Sequence, residues 1–200
     1  SAEALGSVYK GIRCGSLGDM GILSFNGNKI ITTSGGGALL TKTTEIKNKA
    51  VFLATQARDN APHYQHSHIG YNYRMSNIVA GIGRGQMEVL ETRVKQRQKM
   101  NQFYANLFNN KSGVTIFKEP NEVYTSNHWL SSIIIDKNKA GFTTDKLREE
   151  LLKDNIESRP LWKPMHLQPV FKKFPFYGAD ISDKLFDNGL CLPSGSNLTE

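Results

Sequence analysis

The sequence has few cysteines and no long apolar segment. Its two cysteines, Cys14 and Cys191, lie far apart and form no C-x-x-C pair. This spacing argues against a disulfide framework and against a zinc site, and it favours a reducing cytoplasm. No apolar run approaches the ~18 residues that a membrane span needs. The first residues also lack the basic and apolar regions of a signal peptide. We therefore expect a cytoplasmic protein with no membrane partner.

Acidic residues are in the minority. Against 25 lysines and arginines stand 18 aspartates and glutamates, which gives a net charge of +7. Such a charge favours an anionic partner, either nucleic acid, an acidic membrane or a small phosphorylated ligand. The basic residues are scattered and form no tract of the kind that binds nucleic acid, so we expect no nucleic-acid partner. The basic residues at 93, 95, 97 and 99 are typical of a solvated helix face.

The first half of the chain alternates short apolar strands with helical periodicity. Residues 21–25 and 36–41 predict strands, and the first is apolar throughout and so expected to be buried. Apolar residues at three- and four-residue spacing predict a helix over 43–58. The same spacing predicts one long helix over 76–110. Residues 59–73 are polar and aromatic and have no period.

The second half changes character after a polar turn at residues 111–113. Two strands are predicted, over 114–118 and 128–136, and then a helix over 144–154 that Thr143 caps. After a proline-rich segment, a helix near 181–188 and a strand at 189–193 are expected, and residues 198–200 resemble the opening of another helix. These patterns predict an α/β chain with a boundary near residue 110, in which residues 1–110 precede a small α+β domain at 111–200.

One polar loop carries a lysine in a setting that suits chemistry. Residues 24–37 read SFNGNKIITTSGGG, so an apolar strand leads into a loop with a single lysine, Lys29. An ammonium must lose its proton before it can attack an aldehyde, and a partly desolvated site favours the neutral amine. Ser24 and the backbone amides of a glycine-rich turn can donate to phosphate oxygens. From spacing alone, a hairpin-like connection with a solvated lysine is the alternative.

Four segments, taken in order, resemble the sugar aminotransferases of the DegT/DnrJ/EryC1/StrS family, which are fold type I pyridoxal-phosphate enzymes. Residues 18–39, GDMGILSFNGNKIITTSGGGAL, resemble the family's Schiff-base segment. Residues 1–7, 68–83 and 159–171 agree as well, with the sequences SAEALGS, HIGYNYRMSNIVAGIG and RPLWKPMHLQPVF. The last of these is most similar to the branch that aminates UDP-linked 4-keto-6-deoxy-N-acetylhexosamines.

The resemblance implies a role for individual residues. Lys29 matches the lysine that carries pyridoxal 5'-phosphate, and Ser24 matches a serine that holds the cofactor's phosphate. Glu3 matches the position that approaches the pyridoxal hydroxyl. Asn72, with Arg74, matches a loop that reaches the cofactor phosphate of a neighbouring subunit, which implies a homodimer with shared active sites. Some family members have histidine in place of the lysine and carry out dehydration, so Lys29 favours transamination.

The resemblance also implies that part of the enzyme lies outside these 200 residues. The aspartate that pairs with the pyridinium nitrogen is expected immediately before Ser1, and the ring-stacking aromatic residue further upstream. We therefore expect a C-terminal part of the enzyme, with a partial large domain and a truncated small domain, that does not transaminate alone. The implied reaction moves an amino group from an amino acid, expected to be glutamate, to C4 of a nucleotide-linked keto-sugar. The alternatives are a nucleic-acid-binding module that uses residues 58–74 and a non-catalytic fragment.

Three histidines fall within one polar segment, His63, His66 and His68. No cysteine or carboxylate ligand stands at zinc-site spacing beside them, so we expect no metal. A substrate-contacting loop that uses Tyr64, His66 and His68 is one interpretation, and ordinary surface polarity is the other.

A second basic segment is rich in proline. It contains Arg159, Lys163 and His166. A guanidinium binds phosphate in a bidentate manner, so these residues are candidates for contact with a sugar diphosphate. A surface loop with solvated charges remains the equal alternative.

Overall fold

Nine strands and six α-helices follow one another along the part of the chain that a computed structural model describes, residues 1–198. The strands are β1 (Val8–Tyr9), β2 (Ile12–Arg13), β3 (Met20–Ser24), β4 (Gly37–Thr41), β5 (Val114–Ile116), β6 (Tyr124–Thr125), β7 (Ser131–Ile135), β8 (Arg159–Pro160) and β9 (Gly189–Leu192). The helices are α1 (Thr44–Ala54), α2 (Asn77–Glu88), α3 (Leu90–Phe108), α4 (Lys137–Ala140), α5 (Thr144–Lys153) and α6 (Ile181–Asn188). Two 3-10 turns, Met165–Leu167 and Pro169–Phe171, follow β8.

The chain folds into two compact units. The first comprises Ser1–Lys95 with Asn121–Trp129, and the second comprises Gln96–Pro120 with Leu130–Glu200. The division falls inside α3 rather than near residue 110, and residues 121–129 return to the first unit because β6 pairs with β1. Sequence periodicity does not reveal this return, since it depends on a pairing between residues more than a hundred positions apart.

The first unit contains two small antiparallel sheets. One has the order β2-β1-β6, and the other is the hairpin of β3 and β4, in register from Met20–Thr41 to Ser24–Gly37. Gly21 and Leu23 are buried, whereas Met20 and Ile22 are exposed, so the expectation that this strand is buried throughout is wrong on one face. Gly21 has no room for a side chain, because a Cβ there would lie 1.8 Å from the backbone oxygen of Gly15.

The helix after β4 is shorter than the sequence predicts. Thr43 caps α1 by accepting a hydrogen bond from the backbone N–H of Ile46 at 3.2 Å. The helix ends at Ala54 rather than at residue 58, because Gln56 and Ala57 adopt positive φ angles of 69° and 48°. Ala57 is fully buried, whereas Gln56 is exposed, so one side of the left-handed turn faces the interior of the unit.

The predicted long helix over 76–110 is two helices. Ser76 caps α2, and the helix ends at Glu88 because Val89 leaves the helical region with φ −108° and ψ 8°. The break orients the start of α3 so that Leu90 and Val94 are buried, whereas Ile78 and Ile82 of α2 are exposed. Uniform apolar spacing across residues 78–94 concealed this change of direction.

The second unit contains a four-stranded antiparallel sheet with the order β5-β7-β9-β8. Its core consists of Ile116, Ile133, Ile135, Leu190 and Leu192. In β7 the buried and partly exposed residues alternate, as expected of a strand with one face on the core. The predicted α5 with its Thr143 cap and the predicted helix over 181–188 are present. The strand expected over 128–136 is limited to β7.

Two further expectations concern membrane-spanning helices and the last residues of the chain. Within residues 1–198, no helix combines the length and the hydrophobicity needed to cross a bilayer. The helix opening expected at residues 198–200 falls largely on Thr199 and Glu200, which lie outside the described residues.

Replacement of Ile133 by alanine should destabilise the second unit strongly. Ile133 is fully buried in the sheet core, so Ile133→Ala should lower the free energy of unfolding by about 2–5 kcal/mol, from lost burial and the cavity that remains. The matched control is Ile134→Ala on the opposite, partly exposed face of β7, where the loss should be much smaller. Urea unfolding followed by circular dichroism measures both. Equal losses would contradict the assigned core face.

Candidate active site

The segment that carries Lys29 is a tight turn anchored at both ends. It begins where β3 ends at Ser24, and the backbone N–H of Lys29 donates to the oxygen of Asn26 at 3.0 Å. On the other side, Ile30 and Ile31 are buried at 7% and 1% exposure. A buried apolar pair directly after the lysine fixes its backbone, because exposing two isoleucines would cost several kcal/mol, at ~1.5–3 kcal/mol each. The backbone of Lys29 is therefore held in place.

The Lys29 side chain is shielded and paired. Its Nζ donates to Glu3 Oε1 at 2.9 Å, and it lies 4.3 Å from the centroid of the Trp129 ring. The lysine side chain is 12% exposed, against 49% for Glu3. An ammonium over an indole face and beside a carboxylate is attracted to both. Lys29 is therefore not the solvated surface lysine that spacing alone permitted.

Two residues that the sequence analysis did not single out complete this arrangement. Trp129 Nε1 donates to the backbone oxygen of Asn28 at 2.7 Å, which fixes the indole under the turn. The amide of Asn127 donates to the backbone oxygens of Glu3 and Leu5, both at 2.9 Å, and its Oδ1 accepts from the N–H of Trp129. We call Glu3, Lys29, Asn127 and Trp129 the lysine cluster.

The cluster joins segments that are about a hundred residues apart in sequence. Trp129 falls within the strand predicted over 128–136, no role was predicted for Asn127, and no local pattern connects that stretch with residue 29. The available signal in the sequence was an asparagine two positions before a tryptophan, just ahead of a buried strand. This signal does not indicate which residues the two side chains contact.

The loop after α1 holds several of the other candidate residues. His66, His68 and Asn72 line one open pocket of about 540 Å³, together with Gln56, Ser67, Ile69 and Gly70. His66 Nδ1 lies 2.9 Å from the backbone oxygen of Gln56. Tyr64 and Arg74 are exposed and do not line this pocket. The structure therefore groups three of the five candidates of this loop, and Lys29 is not among the lining residues.

An acidic residue stabilises the same loop. Asp59 Oδ2 accepts hydrogen bonds from Ser67 Oγ at 2.8 Å and Gln65 Nε2 at 3.1 Å. The hydrogen bond from Ser67 is the main reason that the pKa of Asp59 lies below its usual value. The carboxylate thus ties the stretch around the histidines back to the start of the loop.

Three candidate residues lie in the second unit. Arg159 pairs with Glu157 through Nε at 2.6 Å. His166 Nε2 lies 2.9 Å from Asp183 Oδ1, and its ring stacks on Phe176 with 3.7 Å between centroids. Lys163 is exposed. Arg159 thus has an acidic partner within its own unit, whereas His166 Nε2 lies close to Asp183 without making a hydrogen bond. A bound sugar diphosphate would have to compete with Glu157 for Arg159.

The described part of the chain contains no candidate metal site. No group of three or more histidine, cysteine, aspartate or glutamate side chains is arranged to hold a metal ion between residues 1 and 198.

The fold identifies a class of protein. A solved structure of a sugar aminotransferase, Spr1654 from Streptococcus pneumoniae in its PLP form, matches the whole chain with a TM-score of 0.89 and 25% identity, over 53% of its own length. The chain therefore has the α/β fold of these pyridoxal-phosphate-dependent aminotransferases over about half of their length.

The chain belongs to the DegT/DnrJ/EryC1/StrS aminotransferase family, whose sequence model matches residues 1–200. It is 48% identical to EpsN of Bacillus subtilis (strain 168), named as a pyridoxal phosphate-dependent aminotransferase, over all of the chain and 52% of that relative. It is 34% identical to GDP-perosamine synthase of Caulobacter vibrioides, over all of the chain and 54% of that relative. The chain thus spans about half the length of the curated relatives it matches.

Loss of the Asn127 amide should loosen the lysine cluster. Asn127→Ala removes two donors to backbone oxygens and one acceptor for a backbone N–H in a buried position, and leaving such groups unpaired costs about 1–3 kcal/mol. Unfolding by guanidinium chloride measures the loss in stability. Asn109→Ala, at an exposed asparagine just after α3, serves as the control and should change stability by less than about 0.5 kcal/mol. A similar small change for Asn127→Ala would show that the cluster does not depend on it.

Proposed function

We propose that the full-length protein is a pyridoxal-phosphate-dependent aminotransferase of nucleotide-linked sugars, in which Lys29 holds the cofactor. One observation carries the proposal: Lys29 is a shielded lysine in the turn that follows β3, with Nζ 2.9 Å from a carboxylate and above an aromatic face. Such a setting removes the amine from bulk water and orients it, as a nucleophilic lysine requires. The family membership supports the same assignment.

The residues present fit pyridoxal phosphate. The Lys29 amine is the group that condenses with its aldehyde, and the Glu3 carboxylate stands beside that amine, where it would meet the ring hydroxyl. Ser24 is partly exposed at the end of β3 and offers a hydroxyl to a phosphate. A Cβ at Gly27 or Gly35 would meet open space, so the backbone near Ser24 is accessible to a flat ligand.

The chain's own residues would then have distinct tasks in the reaction. When bound, the cofactor supplies the electron sink that stabilises charge on the α-carbon of the amino donor. Lys29 Nζ would hold the cofactor, and as a free amine it would carry a proton between the donor's α-carbon and the cofactor's C4'. Glu3 Oε1 keeps the released Nζ within the site, since it already accepts a hydrogen bond from it.

The proposed acceptor is a UDP-linked 4-keto-6-deoxy-N-acetylhexosamine that is aminated at C4, with glutamate as donor. The proposal rests on the resemblance of residues 159–171. Arg159, Lys163 and His166 would contact the sugar diphosphate, and Tyr64, His66 and His68 would contact the sugar. One relative's name gives a GDP-linked sugar, GDP-perosamine, as its product. The UDP-linked and GDP-linked keto-sugars should therefore be compared directly as acceptors.

The proposed site is shared between two subunits. Asn72 and Arg74 are exposed in the first unit, where they can reach a second subunit of a homodimer and its cofactor phosphate. We also propose that the enzyme acts in the cytoplasm. Residues 1–200 match only about half of the length of each of these relatives. Transamination is therefore proposed for the full-length protein, and residues 1–200 alone are expected not to transaminate.

Borohydride reduction should label Lys29 in the full-length protein loaded with pyridoxal phosphate. Reduction fixes the cofactor on the lysine that holds it, and mass spectrometry of the digest identifies the labelled peptide. Lys29→Ala should abolish the label, whereas Lys47→Ala, at an exposed lysine of α1, should leave it intact. A label on any other lysine of the wild-type protein sinks the assignment.

Mixed dimers should recover activity that neither parent has. A subunit with Lys29→Ala lacks the cofactor lysine, and a subunit with Asn72→Ala lacks the proposed contact to its neighbour's phosphate, so a mixed dimer has one site with both residues intact. The two variants are mixed, unfolded and refolded together. Random pairing makes about half of the dimers mixed, and each mixed dimer has one intact site of two, so activity should return to about a quarter of the wild-type rate or less. If both variants fold and dimerise yet recover nothing when mixed, the shared site is wrong.

A further inference from the structure

We propose that Trp129 is a positioning residue that returns the Lys29 amine to one place in the site each time the cofactor releases it. The inference rests on the function proposed above, because it concerns the same lysine. It goes further in naming a residue that the sequence motifs did not indicate and in stating what that residue does.

A lysine side chain has four rotatable bonds, and its mobility must be limited if Nζ is to transfer a proton at a defined atom. Nζ lies 4.3 Å from the centroid of the Trp129 ring and 2.9 Å from Glu3 Oε1. The Glu3 side chain is half-exposed, at 49%. The buried indole, at 8% exposure, is the more rigid of the two partners.

Trp129 is itself held through its indole and through its backbone. Its Nε1 donates to Asn28 O at 2.7 Å, one residue before the lysine, and its backbone N–H donates to Asn127 Oδ1 at 3.0 Å. Asn127 in turn binds the backbone oxygen of Glu3. A displacement of the lysine turn therefore moves the ring with it, and the ring keeps the same face beneath Nζ.

This geometry suits a lysine amine that alternates between a cofactor-bound state and a free state. While the cofactor is attached, Nζ is fixed covalently. When Nζ is free of the cofactor, only noncovalent contacts hold it. Once the free amine has taken up a proton from the donor's α-carbon, the indole face and the Glu3 carboxylate would attract the resulting ammonium to the place that Nζ occupies here. A leucine in place of Trp129 would fill part of the space but would offer no attractive face and no N–H to Asn28.

The test uses the full-length protein and three variants. Trp129→Leu removes both functions of the ring, Trp129→Phe keeps an aromatic face but removes the N–H donor, and Trp162→Leu is the same change at an exposed indole, which is 61% exposed. The first measurement is the rate at which cofactor-free protein forms its imine with added pyridoxal phosphate, followed by absorbance. The second is kcat and KM for the amino donor, and thermal unfolding of the cofactor-free proteins checks folding.

We expect Trp129→Leu to slow imine formation and lower kcat by about tenfold, with the donor's KM nearly unchanged, since a cation–π contact is worth about twofold to thirtyfold in an equilibrium. Trp129→Phe should recover only part of the loss, because it keeps an aromatic face but lacks the N–H donor to Asn28, and Trp162→Leu should match wild type in imine formation. If Trp129→Leu is folded and forms the imine at the wild-type rate, the inference is overturned. If Trp129→Leu does not fold, Trp129→Phe becomes the deciding variant, because it lacks the hydrogen bond to Asn28. A wild-type rate of imine formation together with a wild-type kcat in Trp129→Phe would reject a positioning role for the fixed indole.

Trp129→Leu could instead lower kcat, raise the donor's KM equally and lower the melting temperature, with no rescue by Trp129→Phe. That result would show a structural role alone and would also overturn the inference. Borohydride labelling of the wild-type protein separates this failure from that of the proposed function. A label on another lysine defeats the proposed function, whereas a label on Lys29 with no effect of Trp129 defeats only the inference.

Discussion

The pairing of the Lys29 ammonium with the Glu3 carboxylate, above the face of Trp129, is the interaction on which the candidate site depends. A lysine withdrawn from water needs a partner for its charge, since an unpaired buried ammonium is strongly disfavoured. The three groups come from the beginning of the chain, from the turn after β3 and from the stretch after β6. The first unit must therefore fold as a whole before the lysine has its surroundings.

Several features of the first unit serve this arrangement. The close approach of Gly21 to Gly15 and the burial of Ile30 and Ile31 fix the two sides of the lysine turn. The pairing of β6 with β1 brings Asn127 to the segment that contains Glu3. Backbone hydrogen bonds, rather than side-chain charges alone, thus determine where the lysine cluster lies, so the cluster should persist when exposed surface charges are changed.

Regular elements with strong local signals could be predicted from the sequence. The α5 cap at Thr143 and the span of α6 follow from capping and spacing. The break at Val89 could not, because the apolar spacing continues across it and only the burial of Leu90 and Val94 shows the change of direction. In the site, Lys29 stood out by its loop. Trp129 and Asn127 did not, because their role arises from contacts with residues about a hundred positions away, which periodicity and spacing cannot encode.

A crystal structure of the full-length protein grown with pyridoxal phosphate tests the central claim most directly. The account predicts continuous electron density from Lys29 Nζ to the cofactor, the Glu3 carboxylate beside the ring hydroxyl, and Ser24 Oγ within hydrogen-bonding distance of the phosphate. Trp129 should keep its contact with the backbone oxygen of Asn28 in the same crystal. Density for the cofactor on a different lysine, or a cofactor phosphate remote from Ser24, would contradict it.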